Sequence, residues 1–71
     1  MLPAGLDPEL LRSFVLIAEG QSVTRAAERV GRTQSAVSMQ MKRLEEVLGE
    51  PILRRGPRGL EPTYKGLWLL E

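Results

Sequence analysis

The amino-acid sequence predicts a mostly α-helical fold in which three helices precede a small β-hairpin and the start of a fourth helix. Apolar residues recur at helical spacing on both sides of Gly31-Arg32-Thr33, which predicts two helices joined by a tight turn. After Gly49 the helical period stops, and two short runs flank Gly56-Pro57-Arg58-Gly59, as in a hairpin. A helix-turn-helix followed by a hairpin is a winged helix-turn-helix.

The composition is that of one small globular domain. The 71 residues are 42% hydrophobic and 27% charged, which allows a single domain with a small core. No apolar run approaches the roughly 20 residues of a membrane span, and Met1–Gly5 shows no secretory pattern. The sequence has no Cys and no His, which removes disulfides, thiolate and imidazole catalysis and nearly every transition-metal site. We therefore expect a cytoplasmic protein without a cofactor.

The first helix is predicted to begin at Asp7-Pro8, because Asp caps a helix and Pro loses no hydrogen bond at its first position. Gly20 should end it. We expect Phe14 to anchor the core, with Ser13 largely off the apolar face. That face consists of Leu10, Leu11, Phe14, Ile17 and Ala18.

Ser22 is the predicted cap of the second helix, and Thr24 is the alternative. The buried stripe of this helix should contain Val23, Ala26, Ala27 and Val30. Arg25 and Arg29 lie four residues apart on the outer face, where they could contact phosphates or remain solvated.

The third helix, residues 34–48, has a polar first turn that suits insertion into a DNA groove. Its apolar stripe is Val37, Met41, Leu44 and Leu48, and the opposite face carries Ser35, Met39, Lys42 and Glu46, with Arg43 beside them. Gln34 and Ser38 flank that face, and Gln can bond an adenine edge with both of its amide groups. Met39 could contact a thymine methyl, or it could pack against a neighbouring element of this chain or of a partner chain. Glu45 and Glu46 are expected to remain in solvent.

The positive charge is concentrated in the middle of the chain. Residues 25–58 hold eight basic and four acidic side chains, although the whole chain has a net charge of only +1. Arg54, Arg55 and Arg58 lie at or near the predicted hairpin tip. A basic face attracts phosphate backbones regardless of sequence, but a solvated surface is the alternative explanation.

The last segment, Tyr64 to Glu71, is a predicted helix capped by Thr63. Leu67, Trp68, Leu69 and Leu70 form an apolar band too wide for a helix with one buried face. This width suggests a helix that continues further and a partner that covers its exposed side. Trp68 could be a core residue or lie at a dimer seam.

Residues 7–71 contain, without a gap, a set of residues that is highly specific when taken together. The set is Leu11 and Phe14, the runs 22–27 and 34–38, Leu44-Glu45, the run 49–53 with Arg55, and Thr63 with Gly66. In this pattern the chain resembles the N-terminal DNA-binding domain of the LysR-type transcriptional regulators. The resemblance implies a winged helix-turn-helix whose fourth helix is a linker that pairs two chains.

The resemblance also implies which residues contact DNA. Those expected at the major groove are Gln34, Ser35, Ser38 and Met39. Those expected near the backbone are Thr33 and Lys42, and those near the minor groove are Arg55 and Arg58. This chain departs from the family at Met39, where many members carry Arg or another polar residue, and at Leu53, which replaces a common Phe. It departs also at Glu61, where a basic residue is frequent, so the wing's backbone contact could be weaker.

The expected function is sequence-specific binding of double-stranded DNA by the DNA-reading module of a bacterial LysR-type regulator. Residues 1–62 would form the DNA-binding domain, with helix 34–48 in the major groove and wing 52–61 near the minor groove, and residues 63–71 would begin the linker. The expected DNA-binding residues are Arg25, Arg32, Thr33, Gln34, Ser35, Ser38, Met39, Lys42, Arg43, Arg54, Arg55 and Arg58, and the dimerisation residues are Leu67, Trp68 and Leu70.

The expected partners are an interrupted inverted repeat of DNA and a second copy of the chain. A small-molecule effector would act only through the family's effector domain, which this sequence lacks, and no membrane is involved. A winged helix used for protein–protein contact is the rival hypothesis, supported by the apolar C-terminal run and the modest net charge. An enzyme is disfavoured, because no Ser, Lys or carboxylate pair has a catalytic arrangement in the sequence.

Overall fold

The structure, a computed structural model, describes residues 7–20 and 22–71. The described elements are α1 (Pro8–Gly20), α2 (Val23–Val30), α3 (Gln34–Leu48), β1 (Leu53–Gly56), β2 (Gly59–Pro62) and α4 (Tyr64–Leu70). The predicted fold class is therefore confirmed, with three helices, a two-stranded hairpin and a fourth helix. The prediction about Met1–Gly5 lies outside the described residues.

Each helix begins at a polar side chain that accepts a hydrogen bond from a backbone N–H of the first turn. Asp7 Oδ1 accepts from Glu9 at 2.9 Å in α1. The caps of the other three helices are Ser22 at 3.2 Å, Thr33 at 3.0 Å and Thr63 at 3.2 Å. Ser22, not Thr24, is thus the cap of α2. The predicted helix starts are confirmed.

The core lies where α1, α2 and α3 meet and where the chain enters the hairpin. Phe14, Ile17, Val37, Leu44 and Ile52 are completely buried in it. The prediction that Phe14 anchors the core is confirmed. These five side chains come from three separate elements, so the core forms only when α1, α3 and the entry to the hairpin pack together.

The prediction that Ser13 lies off the buried face is wrong, since Ser13 is completely buried. Its hydroxyl donates a hydrogen bond of 2.6 Å to the Gln40 side-chain oxygen across the contact between α1 and α3. A buried hydroxyl without a partner would be destabilising, and Gln40 supplies the missing acceptor.

The expectation that Glu45 remains in solvent is also wrong. Glu45 is half-buried, and its carboxylate accepts a hydrogen bond of 2.9 Å from the backbone N–H of Ile52. On the other side of Ile52, its carbonyl accepts from the Thr63 N–H at 2.9 Å. The end of α3, the start of the hairpin and the start of α4 are therefore tied together around one buried residue.

The hairpin is shorter at its tip than the sequence indicated. β1 and β2 are antiparallel, and Gly56 pairs with Gly59, so only Pro57 and Arg58 form the turn. Gly59 has a φ of 123°, a conformation that other residues rarely adopt. Ile52, the predicted first residue of the wing, precedes β1 and belongs to the core.

Helix α4 packs one side against the rest of the domain. Gly66 is buried, and Leu69 packs against the core. Leu67, Trp68 and Leu70 are 52%, 48% and 40% exposed, so the interpretation of Trp68 as an isolated core residue is wrong. In the described part of the chain, no helix is long and apolar enough to cross a membrane.

Candidate nucleic-acid interface

The turn between α2 and α3 is closed by the backbone conformation of Gly31. Gly31 has a left-handed φ of 73°, and the next N–H, of Arg32, donates to the Ala27 carbonyl at 2.9 Å. This arrangement satisfies carbonyls at the end of α2 and reverses the chain direction. Thr33, two residues after Gly31, caps α3. The turn therefore fixes the residue at which α3 begins and the direction of α3 relative to α2.

The face of α3 opposite the core is open to solvent along most of its length. Val37, Met41 and Leu44 are buried on the inner side. The predicted DNA-binding residues on and before α3 are all exposed: Thr33, Gln34, Ser35, Ser38, Met39, Lys42 and Arg43. Five of them line one shallow depression: Gln34, Ser35, Ser38, Met39 and Lys42. The structure thus brings the predicted base-reading residues together.

Met39 is the most unusual member of this face. It is 63% exposed, although Met is normally a buried residue. Among the described residues no element covers it, so the alternative that it packs against a neighbouring element of this chain is not supported. An exposed apolar side chain among Gln, Ser and Lys suits a surface that contacts both apolar and polar groups on base edges.

The wing arginines do not form one cluster. Arg54 and Arg55 are consecutive in β1, so their side chains point to opposite faces of the hairpin. Arg54 lies opposite Glu61 in the strand pairing and forms an ion pair with it at 3.6 Å. Arg58 is exposed at the tip. Arg55 therefore lies on one face of the wing without an acidic partner, whereas Arg54 lies on the other face and is partly neutralised by Glu61.

Several basic side chains have no acidic partner within the described part of the chain. They are Arg12, Arg25, Arg29, Lys42, Arg43, Arg55 and Arg58, all of which are exposed. Apart from Arg12 on α1, these cations come from α2, α3 and the wing. Exposed and uncompensated positive charges of this kind attract an extended polyanion, and the attraction weakens as salt rises.

Arg32 differs from these residues because it is paired. Its Nε and Nη2 atoms donate to the two carboxylate oxygens of Glu9 at 2.8 Å and 3.1 Å. The hydrogen bonds from Arg32 hold the pKa of the Glu9 carboxyl below its usual range, and the same contact raises the pKa of Arg32. Nothing in the sequence points to Glu9 as a partner of Arg32, because the two residues are 23 positions apart and share no helix.

The exposed apolar residues of α4 form a second candidate surface, which we name the α4 patch: Leu67, Trp68 and Leu70. The Lys65 ammonium lies 4.0 Å from the centre of the Trp68 ring and 3.7 Å from a Glu50 carboxylate oxygen. The Lys65 ammonium thus contacts one face of the Trp68 indole, and about half of Trp68 remains exposed to solvent.

Comparisons with known proteins agree with this geometry. A family model described as "Bacterial regulatory helix-turn-helix protein, lysR family" matches residues 8–67. The HTH-type transcriptional regulator DgdR of Burkholderia cepacia is 54% identical over 69 residues, which cover 97% of this chain and 24% of that regulator. The chain therefore spans about a quarter of the length of this curated relative.

Two similar solved structures contain DNA. In the complex of the BenM DNA-binding domain with catB site 1 DNA, the protein superposes with a TM-score of 0.81 and 38% identity, covering 89% of this chain and 70% of that one. In the complex of the CbnR DNA-binding domain with DNA, the TM-score is 0.78 and the identity 36%, covering 86% and 70% of the two chains.

Proposed function

The chain belongs to the LysR family of bacterial regulatory helix-turn-helix proteins, and from this membership we propose that it binds double-stranded DNA sequence-specifically as one half of a dimer. The observation that carries the proposal is the exposed face of α3, where amide, hydroxyl, apolar and cationic groups lie together on a rigid helix. The BenM and CbnR DNA-binding domains, which are similar to this chain and were solved in complex with DNA, support it.

We propose that α3 lies in the major groove with its first turn nearest the bases. Gln34 can donate to and accept from an adenine edge at once, and Ser35 and Ser38 can bond bases or phosphates. Met39 can contact a thymine methyl. Residues before and beyond them, Thr33, Lys42 and Arg43, would contact the backbone and fix the position of the helix along the duplex.

The wing, predicted over residues 52–61, would lie near the minor groove. Arg55 and Arg58 would contact the backbone or the groove there, and Arg25 on α2 would reach a phosphate. Arg54 would contribute less, because Glu61 already partly neutralises it at 3.6 Å. In this arrangement phosphates hold the domain in position, while α3 supplies the sequence preference.

The α4 patch is our candidate dimer contact. Two copies of the domain paired through residues 63–71 would bind DNA half-sites about 34 Å apart, which suits an interrupted inverted repeat. Residues 1–62 would be the DNA-reading part, and an effector would act only through a further domain. We assign no reaction and no cofactor, and a cytoplasmic location fits access to DNA.

A selection from a random duplex pool at moderate salt, followed by sequencing of the bound fraction, tests the proposal. An enriched interrupted palindrome is expected, and its spacing would give the dimer geometry. A single enriched half-site would support base reading but contradict pairing through the α4 patch in this chain. Binding without enrichment that fades as salt rises would contradict sequence-specific reading and favour the protein-contact hypothesis, to which the exposed α4 patch also points.

A pair of variants sharpens the same selection. Gln34→Ala changes the first turn of α3, whereas Val47→Ser changes the exposed Val47 at the far end of the same helix. The first variant should lose preference at one position of the enriched site, and the second should return the site of the unaltered chain.

A further inference from the structure

The contact between Glu9 and Arg32 joins the start of α1 to the turn before α3. It is a two-pronged arrangement, with Nε and Nη2 of the guanidinium on the two oxygens of one carboxylate at 2.8 Å and 3.1 Å. Such a fork fixes the plane of the guanidinium as well as its distance. A single ion pair between flexible side chains would fix neither.

Arg32 is not hidden by this contact. Its side chain is 51% exposed, and that of Glu9 is 33% exposed. Both residues line a groove between the start of α1 and α3, and Met39 and Arg43 line the same groove. Because Met39 and Arg43 belong to the exposed α3 face, the fork borders the surface that we assign to DNA.

The fork leaves part of the guanidinium available. In residues 7–20 and 22–71, the side-chain hydrogen bonds of Arg32 use Nε and Nη2, so the Nη1 group keeps its two N–H donors. Arginine has five N–H donors in a fixed plane, and a carboxylate on one edge leaves the opposite corner able to bind a phosphate oxygen.

The groove that holds the fork runs along the contact between α1 and α3. Glu9 of α1 and Gln40 of α3 both line it. The oxygen of the Gln40 side chain accepts a hydrogen bond of 2.6 Å from the buried Ser13 hydroxyl. The fork therefore lies next to a polar contact that joins the two helices.

We propose that Glu9 is a positioning residue for DNA binding, which orients the Arg32 guanidinium so that its free edge meets a DNA phosphate beside the start of α3. This inference rests on the proposed function. It assigns a favourable role to an acidic side chain at the edge of a polyanion-binding face. An acid in that place would otherwise repel phosphates and weaken binding.

Removing the Glu9 charge should weaken DNA binding if Glu9 positions Arg32, and should strengthen it if Glu9 only repels phosphates. Glu9→Gln removes a negative charge but keeps the size of the side chain. If Glu9 positions Arg32, the variant should bind its selected duplex roughly threefold to tenfold more weakly, because a charge-assisted phosphate contact is lost or misaligned. The slope of log affinity against log salt should also become shallower, by up to about 1. Tighter or unchanged binding would overturn the proposal.

Glu46→Gln is the matched control. Glu46 is an exposed acid on α3 and forms no salt bridge within the described part of the chain. Removing its charge should leave binding unchanged or make it tighter. If Glu9→Gln behaved as Glu46→Gln does, Glu9 would be an electrostatic bystander and the proposal would be wrong.

A double-mutant cycle separates positioning from general stability. Arg32→Ala alone should weaken binding on every sequence, and adding Glu9→Gln to it should cause no further weakening. Affinities are measured at a temperature where circular dichroism shows each variant fully folded, so that a loss of stability cannot imitate the effect. Additive losses in the cycle would contradict the proposal.

Failure of the proposed function would look different. In that case the unaltered chain would show no sequence enrichment, and the positioning role of Glu9 would be overturned together with the proposed function on which it rests. A chain that selects a site but ignores Glu9→Gln would overturn only the positioning role of Glu9.

Discussion

Gly66 provides a test of how α4 is seated on the domain. A Cβ atom at this position would overlap the carbonyl oxygen of Ile52 and lie 3.0 Å from the Pro62 side chain and 3.2 Å from the Phe14 ring. The Ile52 carbonyl cannot move freely, because it accepts the Thr63 N–H at 2.9 Å. Gly66→Ala should therefore push the start of α4 away from the core.

Two effects of opposite sign decide the magnitude. Alanine is favoured over glycine inside a helix by about 1 kcal/mol. Overpacking typically costs about 1–3 kcal/mol, and the upper end applies here because the main obstacle is backbone. The net destabilisation should be about 1–2 kcal/mol. A chain of 71 residues has a total stability of only about 4–10 kcal/mol, so this is a large fraction.

Urea unfolding followed by circular dichroism measures this change. With a slope near 1 kcal/mol per molar urea for so small a domain, the midpoint should fall by about 1–2 M. Gly20→Ala is the control, since nothing lies within 4 Å of a Cβ at the last residue of α1. It should be neutral or stabilising, by up to about 1 kcal/mol. Equal midpoints for the two variants would refute the packing argument.

Three further predictions concern the site. Gln34→Ala should reduce discrimination at one base position by about 1–3 kcal/mol, and equal losses on all sequences would contradict base reading. Arg55→Ala should weaken binding on every duplex and make the slope of log affinity against log salt shallower. Arg54→Ala should have a smaller effect on both, because Glu61 partly neutralises Arg54. An unchanged slope for Arg55→Ala would count against a phosphate contact. Because Arg32 lowers the pKa of Glu9, stability from that pair should be present above the ordinary glutamate range and lost as pH falls through the lowered value. Arg32→Gln should raise the Glu9 pKa measured by NMR titration, and no rise would contradict the ion pair.

The elements of the fold could be predicted from sequence because their signals are local. Caps such as Ser22 and Thr33 act within three residues, and the apolar stripe of α3 repeats every turn. The length of the hairpin tip was missed because Gly56 and Gly59 indicate a turn by composition but pair as strand residues. Nothing local distinguishes a glycine in a turn from one beside it.

Predictions failed where a polar side chain finds its partner outside its own helix. Ser13 bonds Gln40 across 27 residues, and Glu45 bonds the backbone of Ile52 at the entry to the wing. A hydrophilic residue is correctly expected at the surface unless such a partner exists, and the sequence does not show the partner. Glu9 was missed for the same reason. The exposed face of α3 was predictable, since it is simply the side opposite the apolar stripe.

These unpredicted contacts have a common consequence for α3. Apolar burial is not directional, so Val37, Met41 and Leu44 would tolerate small rotations of the helix. Hydrogen bonds do not tolerate such rotations, because they weaken steeply as the donor–hydrogen–acceptor angle departs from linear.

Helix α3 is held by such bonds at its beginning, middle and end: Arg32 before its first turn bonds Glu9, Gln40 bonds Ser13, and Glu45 bonds the Ile52 backbone. Three polar attachments along one helix fix its rotation and its position relative to the wing. A surface that reads bases needs an accurate helix rotation. Successive side chains lie about 100° apart around the helix axis, so a modest rotation turns a base-reading side chain away from its base. Loss of either attachment made by a side chain of α3 itself, at Gln40 or at Glu45, should therefore reduce sequence preference before it unfolds the domain. Comparing the sites selected by Ser13→Ala and the unaltered chain tests this argument: an unchanged preference in a destabilised variant would contradict it.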